Sequence, residues 1–159
     1  MTAKPDPEFL RRAIHLATEN VRTGAGGPFA ALIVKDCAVI AEAANSVTAT
    51  NDPTAHGEIN AIRKACAALQ SFSLEGCEIY TSCEPCPMCL GAIYWARPVC
   101  VFFANQAADA AKFGFDDAFI YSEIQLAHAD RKIPMIQMMR KEALAAFRAW
   151  KQHPTKLRY

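Results

Sequence analysis

The chain has 159 residues, 52% of them hydrophobic and 21% charged, which suits one domain with a sizeable core and is ordinary for a soluble globular protein. Its 17 Lys and Arg against 16 Asp and Glu leave a net charge of +1, so nothing in the overall balance drives it toward nucleic acid. No apolar run approaches the ~20 residues that span a bilayer, and MTAKPDPEF lacks the apolar stretch of a secretion signal, so a cytoplasmic, reducing home is expected.

Asp6-Pro7 reads as an N-cap followed by proline at the first helical position. Phe9, Leu10, Ala13, Ile14, Ala17 and Val21 then recur at helical spacing, predicting a first helix to about Thr23, ended by Gly24, Gly26 and Gly27. FAALIV (29–34) and AVIAEA (38–43) predict a hairpin around Lys35-Asp36-Cys37, and Asn45 to Pro53 reads as polar loop. Thr54 is placed as the cap of a second helix over 55–69. CEIYTS (77–82) and VCVFFA (99–104) predict strands on either side of a helix that starts near Cys86 and ends before Pro98. A helical patch (107–113), a Gly-Phe-Asp-Asp loop, a short helix (118–127), a fifth strand IPMIQMM (133–139) and a C-terminal helix complete the chain. Strands alternating with helices make this an α/β protein, with helices on both faces of a mixed five-stranded sheet and parallel, right-handed later crossovers. Residues 140–159 hold six Lys or Arg against Glu142 alone. Ala143, Leu144, Ala146, Phe147 and Trp150 form an apolar face among them, so this reads as a solvated amphipathic helix rather than a phosphate-binding tail.

Seven cysteines, an odd number with three crowded into SCEPCPMC (82–89), argue against a disulfide framework and for a metal site. An iron–sulfur reading of Cys83, Cys86 and Cys89 fails because position 93, where a fourth cysteine would fall, is Ile. Cys86 and Cys89 share one face of a helix start, and His56 lies at another helix start two residues before Glu58. One His with two Cys is the ligand count of catalytic rather than structural zinc, with one position left open for water. Both helix N-termini would favour thiolates there. Glu58 can then reach the water without binding the metal and act as general base and acid. Taken singly, Glu58 is better explained as a helix-start carboxylate and His56 as a packed or surface histidine; together with Pro-Cys-x-x-Cys they make a constellation.

His56-Gly57-Glu58 and Pro85-Cys86-Pro87-Met88-Cys89 match the H-x-E and P-C-x-x-C signature of zinc nucleobase deaminases. Cys83 falls outside it and is read as a wall of the site, with ligation as the alternative. GGPFAALIVKD (26–36), NDPTAHGEINAIRKAC (51–66), YTSCEPCPMCLGAIYWARP (80–98), GFDDAFIY (114–121) and the terminal Tyr159 resemble the bacterial guanine deaminases of the three-layer α/β/α cytidine deaminase-like fold. Gly57 departs from the family, which commonly has Ala there. The resemblance implies one zinc-dependent deaminase domain over 1–159 that hydrolyses guanine to xanthine and ammonia, with zinc-activated water attacking C2. By the same resemblance His56, Cys86 and Cys89 hold one Zn²⁺ per subunit and Glu58 moves the protons. The Gly57 N–H and Asn45 hydrogen-bond the purine, Phe29 and Trp95 wall the ring, Asp117 accepts its N–H groups, and Tyr159 closes over it. Core packing is the alternative for Phe29 and Trp95, and a turn pair the alternative for Asp116-Asp117. Family members are homodimers whose C-terminal segments, here about 140–159, can be exchanged between subunits. Two rivals share the fold, a tRNA adenosine deaminase, which would want phosphate contacts, and a cytosine deaminase. A third, of another class, is a non-catalytic zinc-stabilised interaction module with Cys83 as fourth ligand.

Overall fold

Asp6 starts the first helix as its sequence demands. In the computed structural model of the chain, which describes residues 5–158, its carboxylate accepts the Glu8 N–H at 2.9 Å and Pro7 fills the first position of helix α1 (Pro7–Arg22). The described residues divide into two compact units, the first ending at Asp117 and the second beginning at Ala118.

In the first unit, β1 (Ala30–Lys35) and β2 (Ala38–Ala44) form the expected antiparallel hairpin. Asp36 and Cys37 both take positive φ, 48° and 62°, the turn whose twist suits paired strands. The polar loop after β2 is more ordered than its composition suggests, because residues Val47–Thr50 close a single helical turn, α2. Helix α3 runs Gly57–Leu69 with His56 as its N-cap, not Thr54. Thr54 is taken by Asp52 instead, whose Oδ1 accepts both its N–H (2.8 Å) and its hydroxyl (2.7 Å), so the chain turns there before the helix can begin. Strand β3 (Cys77–Cys83), helix α4 (Pro87–Ala96), strand β4 (Cys100–Asn105) and helix α5 (Ala107–Lys112) follow.

The sheet order is β2-β1-β3-β4, with β1 antiparallel to both its neighbours and β3 parallel to β4, as a strand–helix–strand crossover requires. Side chains alternate between its faces. Ala31, Ile33 and Ile79 point to one face and pack with Ala61 and Ala65 of α3 and Ile93 and Ala96 of α4. Leu32, Val34 and Tyr80 point to the other and pack with Phe9, Leu10 and Ala13 of α1 and with Phe102. Each fully buried Ile or Leu here contributes about 1.5–3 kcal/mol. This is the expected three-layer α/β/α arrangement, and its pairing has one consequence for chemistry. The ends of β2, β3 and β4 and the start of β1 all lie at one edge, because Ala30 pairs with Ala44, Ala31 with Thr81 and Cys83 with Asn105.

The second unit holds α6 (Ala118–Gln125), a short 3₁₀ turn (His128–Asp130) and α7 (Arg140–Gln152). The fifth strand expected over 133–139 is not formed, and the sheet has four strands among the described residues. Pro134 offers no N–H, Met135 N–H is spent on His128 O at 3.0 Å, and no strand of its own unit pairs with the segment. An alternating apolar run becomes a strand only where an edge receives it. No helix among the described residues is long and apolar enough to cross a membrane.

Tyr80 couples α1 to the sheet: fully buried, it donates to Glu78 Oε2 (2.8 Å) and accepts the N–H of the cap residue Asp6 (3.2 Å). Burial, opposed by the Asp6 hydrogen bond, pushes its phenol up to about 12. The folded chain therefore keeps a proton that the unfolded chain releases above about pH 10. The Tyr80 contribution to stability should be constant below pH 10 and be lost as pH rises through 12. Tyr80→Phe should cost about 1–2 kcal/mol in urea unfolding at neutral pH and flatten that alkaline slope.

Candidate active site

Two helix N-termini meet at the sheet edge. His56 caps α3 and Cys86 caps α4, both in extended backbone, and Cys89 follows in the first turn of α4. Pro87 takes the first position of α4, where a backbone N–H would be superfluous, and Cys86 Sγ accepts the Cys89 N–H at 3.5 Å. His56 Nδ1 stands 3.5 Å from Cys86 Sγ and 3.6 Å from Cys89 Sγ. A tetrahedral zinc with Zn–N of about 2.05 Å and Zn–S of about 2.3 Å has an N···S edge of roughly 3.6 Å, so the three donor atoms already hold the spacing that zinc needs. Together they are the described residues' one group of three metal-capable side chains.

The charges suit a cation. The Cys86 thiol is held down at about 4, chiefly by the neighbouring Cys89 side chain and also by a hydrogen bond with His56. Cys89 is pushed up by that same contact and by burial, so the two sulfurs share one proton with Cys86 as the thiolate. His56 is pushed up by its Cys86 partner. A zinc ion held by these three side chains would take the place of these protons.

Glu58 is only 6% exposed, and Cys89 Sγ donates to its Oε2 at 3.5 Å, which puts the carboxyl against the metal-capable set without making it one of that set. Burial raises it above the usual carboxylate range. Between His56 and Glu58, Gly57 lies against β1 so closely that a Cβ there would sit 2.9 Å from Ala30 Cα, inside van der Waals contact. Ala30 is itself pinned, its N–H donating to Ser82 Oγ at 3.1 Å.

A cavity of ≈ 370 Å³ opens over His56, Cys86 and Glu58. Of the residues singled out from sequence, Phe29, Asn45 and Asp117 line it, and Cys83 forms part of its wall. Cys83 Sγ donates to Gln106 O at 3.8 Å and lies outside the three-donor group, and burial pushes its thiol up to about 11. Asn45 Oδ1 accepts the Val47 N–H (3.2 Å), and its backbone carbonyl accepts from Asn20 Nδ2 (2.9 Å). Gly26 leaves room for that carbonyl, because a Cβ at Gly26 would come to 2.3 Å from it. Trp95 does not line the cavity; it stands 65% exposed on α4. Tyr159 lies outside the described residues.

Sequence reasoning missed Val47, Thr48, Glu84 and Phe115, all of which face the cavity. Phe115 meets Phe29 edge-to-face with ring centroids 4.9 Å apart, and its place beside the singled-out Asp pair in GFDD was a usable signal. Glu84 Oε2 accepts the Ala107 N–H at 2.9 Å, fixing α5 to the Cys83–Cys89 segment; nothing in its sequence context announces that.

The cytidine and deoxycytidylate deaminase zinc-binding region matches residues 3–105, which contain the whole metal-capable set and Glu58. The chain belongs to this deaminase family. It is 57% identical over 151 residues to guanine deaminase of Bacillus subtilis (strain 168), covering 95% of this chain and 97% of that protein. The X-ray structure of the B. subtilis guanine deaminase superposes with a TM-score of 0.95 at 55% identity, over 98% of this chain and 99% of that one. A tRNA-specific adenosine deaminase of Aquifex aeolicus is 43% identical over 96 residues, covering 60% of this chain and 63% of that protein.

A three-ligand deaminase site predicts distinct metal contents. His56→Ala, Cys86→Ala and Cys89→Ala should each lose most bound zinc on dialysis, whereas Cys83→Ala should keep the parent's zinc content by elemental analysis, within about 20%.

Proposed function

We propose that this chain hydrolyses guanine to xanthine and ammonia, as a cytoplasmic homodimer with one zinc ion per subunit. What carries the reading is the near full-length similarity to a guanine deaminase, joined to a cavity in which a buried carboxyl stands beside a three-donor metal set. Seven unpaired cysteines support a reducing compartment.

His56 Nδ1, Cys86 Sγ and Cys89 Sγ would hold the zinc. When bound there, zinc supplies the Lewis acidity that makes water a nucleophile near neutral pH. Glu58 handles the protons. Burial raises its proton affinity, so the carboxylate can take the proton from water, deliver it to a ring nitrogen beside C2 and then pass one to the departing amino nitrogen. Water adds to C2 and ammonia leaves, which balances guanine plus water against xanthine plus ammonia.

The other cavity groups select the ring. Phe29, with Phe115 against its edge, offers a flat apolar wall. Asn45 Oδ1 is occupied by the Val47 N–H, which leaves its amide N–H groups for a purine acceptor, and the Gly57 N–H supplies another donor. Asp117 accepts guanine N–H groups, which adenine lacks at the corresponding ring nitrogen. Trp95 shares the exposed face of α4 with Leu90 and Tyr94, an apolar surface that a second subunit would cover. The C-terminal segment, about 140–159, is exchanged between subunits in this reading, and its Tyr159 closes over the ring. The whole chain then serves as one deaminase domain.

A tRNA substrate fits less well, because Glu58, Glu84, Asp116 and Asp117 line the cavity and no Lys or Arg does among the described residues. Ammonia release from guanine, cytosine and an adenosine-containing anticodon stem-loop separates the readings, with guanine alone expected to react. Glu58→Ala should keep its zinc and lose turnover by about 10²–10⁴-fold; equal activity would refute the proton-transfer role. Removing residues 155–159 should cripple turnover with zinc retained, and sedimentation should report a dimer.

A further inference from the structure

The segment between β2 and α3 carries one wall of the cavity through Asn45, Val47 and Thr48, then delivers His56 to the metal set. Short loops of this kind keep their shape only if their polar backbone groups find partners. On the β1 side the partners are backbone: Asn45 N–H donates to Phe29 O at 2.8 Å. On the α3 side the Ser46 N–H donates to Ala55 O at 2.9 Å, and one side chain ties both of these residues further. Half-buried Asn60 Nδ2 lies 3.1 Å from Ala44 O, 3.1 Å from Ser46 Oγ and 3.2 Å from Ala55 O. One amide group with two N–H bonds thereby gathers the last residue of β2, the residue before α2 and the residue before His56.

We propose that Asn60 is a positioning residue that sets where the 45–48 wall stands over the cavity, and with it the affinity for the ring; this rests on the guanine deaminase reading. No Asn60 atom lines the cavity, so it acts through the loop it ties. Its role is separable from the chemistry. Glu58 and the three metal-capable side chains are placed by the first turns of α3 and α4, whose own hydrogen bonds do not need the Asn60 side chain.

The test uses the full-length zinc-loaded protein in two variants. Asn60→Asp keeps the shape but turns two donors into acceptors facing three oxygens; Asn60→Ala removes the group. The expected result is a KM for guanine raised at least about ten-fold in both, with kcat within about three-fold of the parent and zinc content unchanged, the pattern of lost ring binding rather than lost transition-state stabilisation. Without substrate, amide hydrogen exchange over 45–55 should quicken at least about ten-fold while β1 and β3 stay protected. Unchanged KM and exchange would overturn the proposal, as would a fall in kcat at constant KM, which would put Asn60 in the chemistry. Failure of both variants to fold would overturn it too, by making Asn60 a support of the whole domain. The exchange measurement needs no turnover, so an enzyme inactive on guanine would sink the functional reading while leaving Asn60's hold on the loop open to measurement.

Discussion

The seating of two helix N-termini side by side at one edge of the sheet is the constraint on which everything else depends. His56 and Cys86 are 30 residues apart, yet Nδ1 and Sγ come to 3.5 Å because α3 and α4 pack on the same face of β1 and β3. The small residues Ala61, Ala65 and Ala96 allow that approach, and Gly57 extends it to the first turn, where a methyl group would press on the backbone of Ala30. Helix starts carry unpaired N–H groups and a positive dipole end, so bringing two together suits an anion or a thiolate and is a poor place for a positive side chain. Cys86 accepts the Cys89 N–H and is held as the thiolate, which serves both the helix end and a metal ion.

The same seating explains Glu58. A carboxyl this buried is costly to ionise in an apolar setting, and it persists because it stands next to a site made for a cation. The desolvation that raises its proton affinity is what a proton carrier needs near neutral pH. Asp117, partly buried, is pushed up as well, by burial first and then by the negative Cys86.

Much of this was legible in the residues. The H-x-E and P-C-x-x-C spacings placed the metal set and Glu58, since helix periodicity turns short sequence distances into spatial ones. Alternation placed the four strands within a residue or two, and Asp6-Pro7 placed α1. The errors have physical sources. Thr54 looked like a cap because cap preference is local, whereas Asp52 competes for the same hydroxyl and N–H. The run 133–139 looked like a strand because alternation reports a two-sided environment, and a partner edge is a matter of tertiary structure. Val47, Thr48 and Glu84 were invisible for a similar reason. Their place over the cavity follows from how a loop folds back, and no periodicity encodes it. Phe29, which lines the cavity, was singled out only by resemblance, since an aromatic at the start of a buried strand reads equally well as core.

The two sides of the cavity differ in origin, and that difference bears on how selectivity is divided. The metal-capable residues and Glu58 fall within residues 3–105, the stretch matched by a family region named for cytidine and deoxycytidylate deaminases. Ala107, Ala110, Phe115, Asp116 and Asp117 line the facing wall and lie beyond it. Proton transfer at an activated water is the same problem whatever ring is presented, so its residues can be held constant while substrates change. In the proposed reading, ring identity is then read by groups elsewhere on the cavity lining. Here those groups sit on α5 and the loop after it, which Glu84 fastens at 2.9 Å to the segment carrying Cys83 and Cys86. A wall that meets the metal segment through the Glu84–Ala107 and Cys83–Gln106 hydrogen bonds, and carries none of the metal-capable side chains, can alter its own side chains without disturbing the spacing of His56, Cys86 and Cys89, and in the proposed reading the discriminating carboxylate, Asp117, sits on that wall.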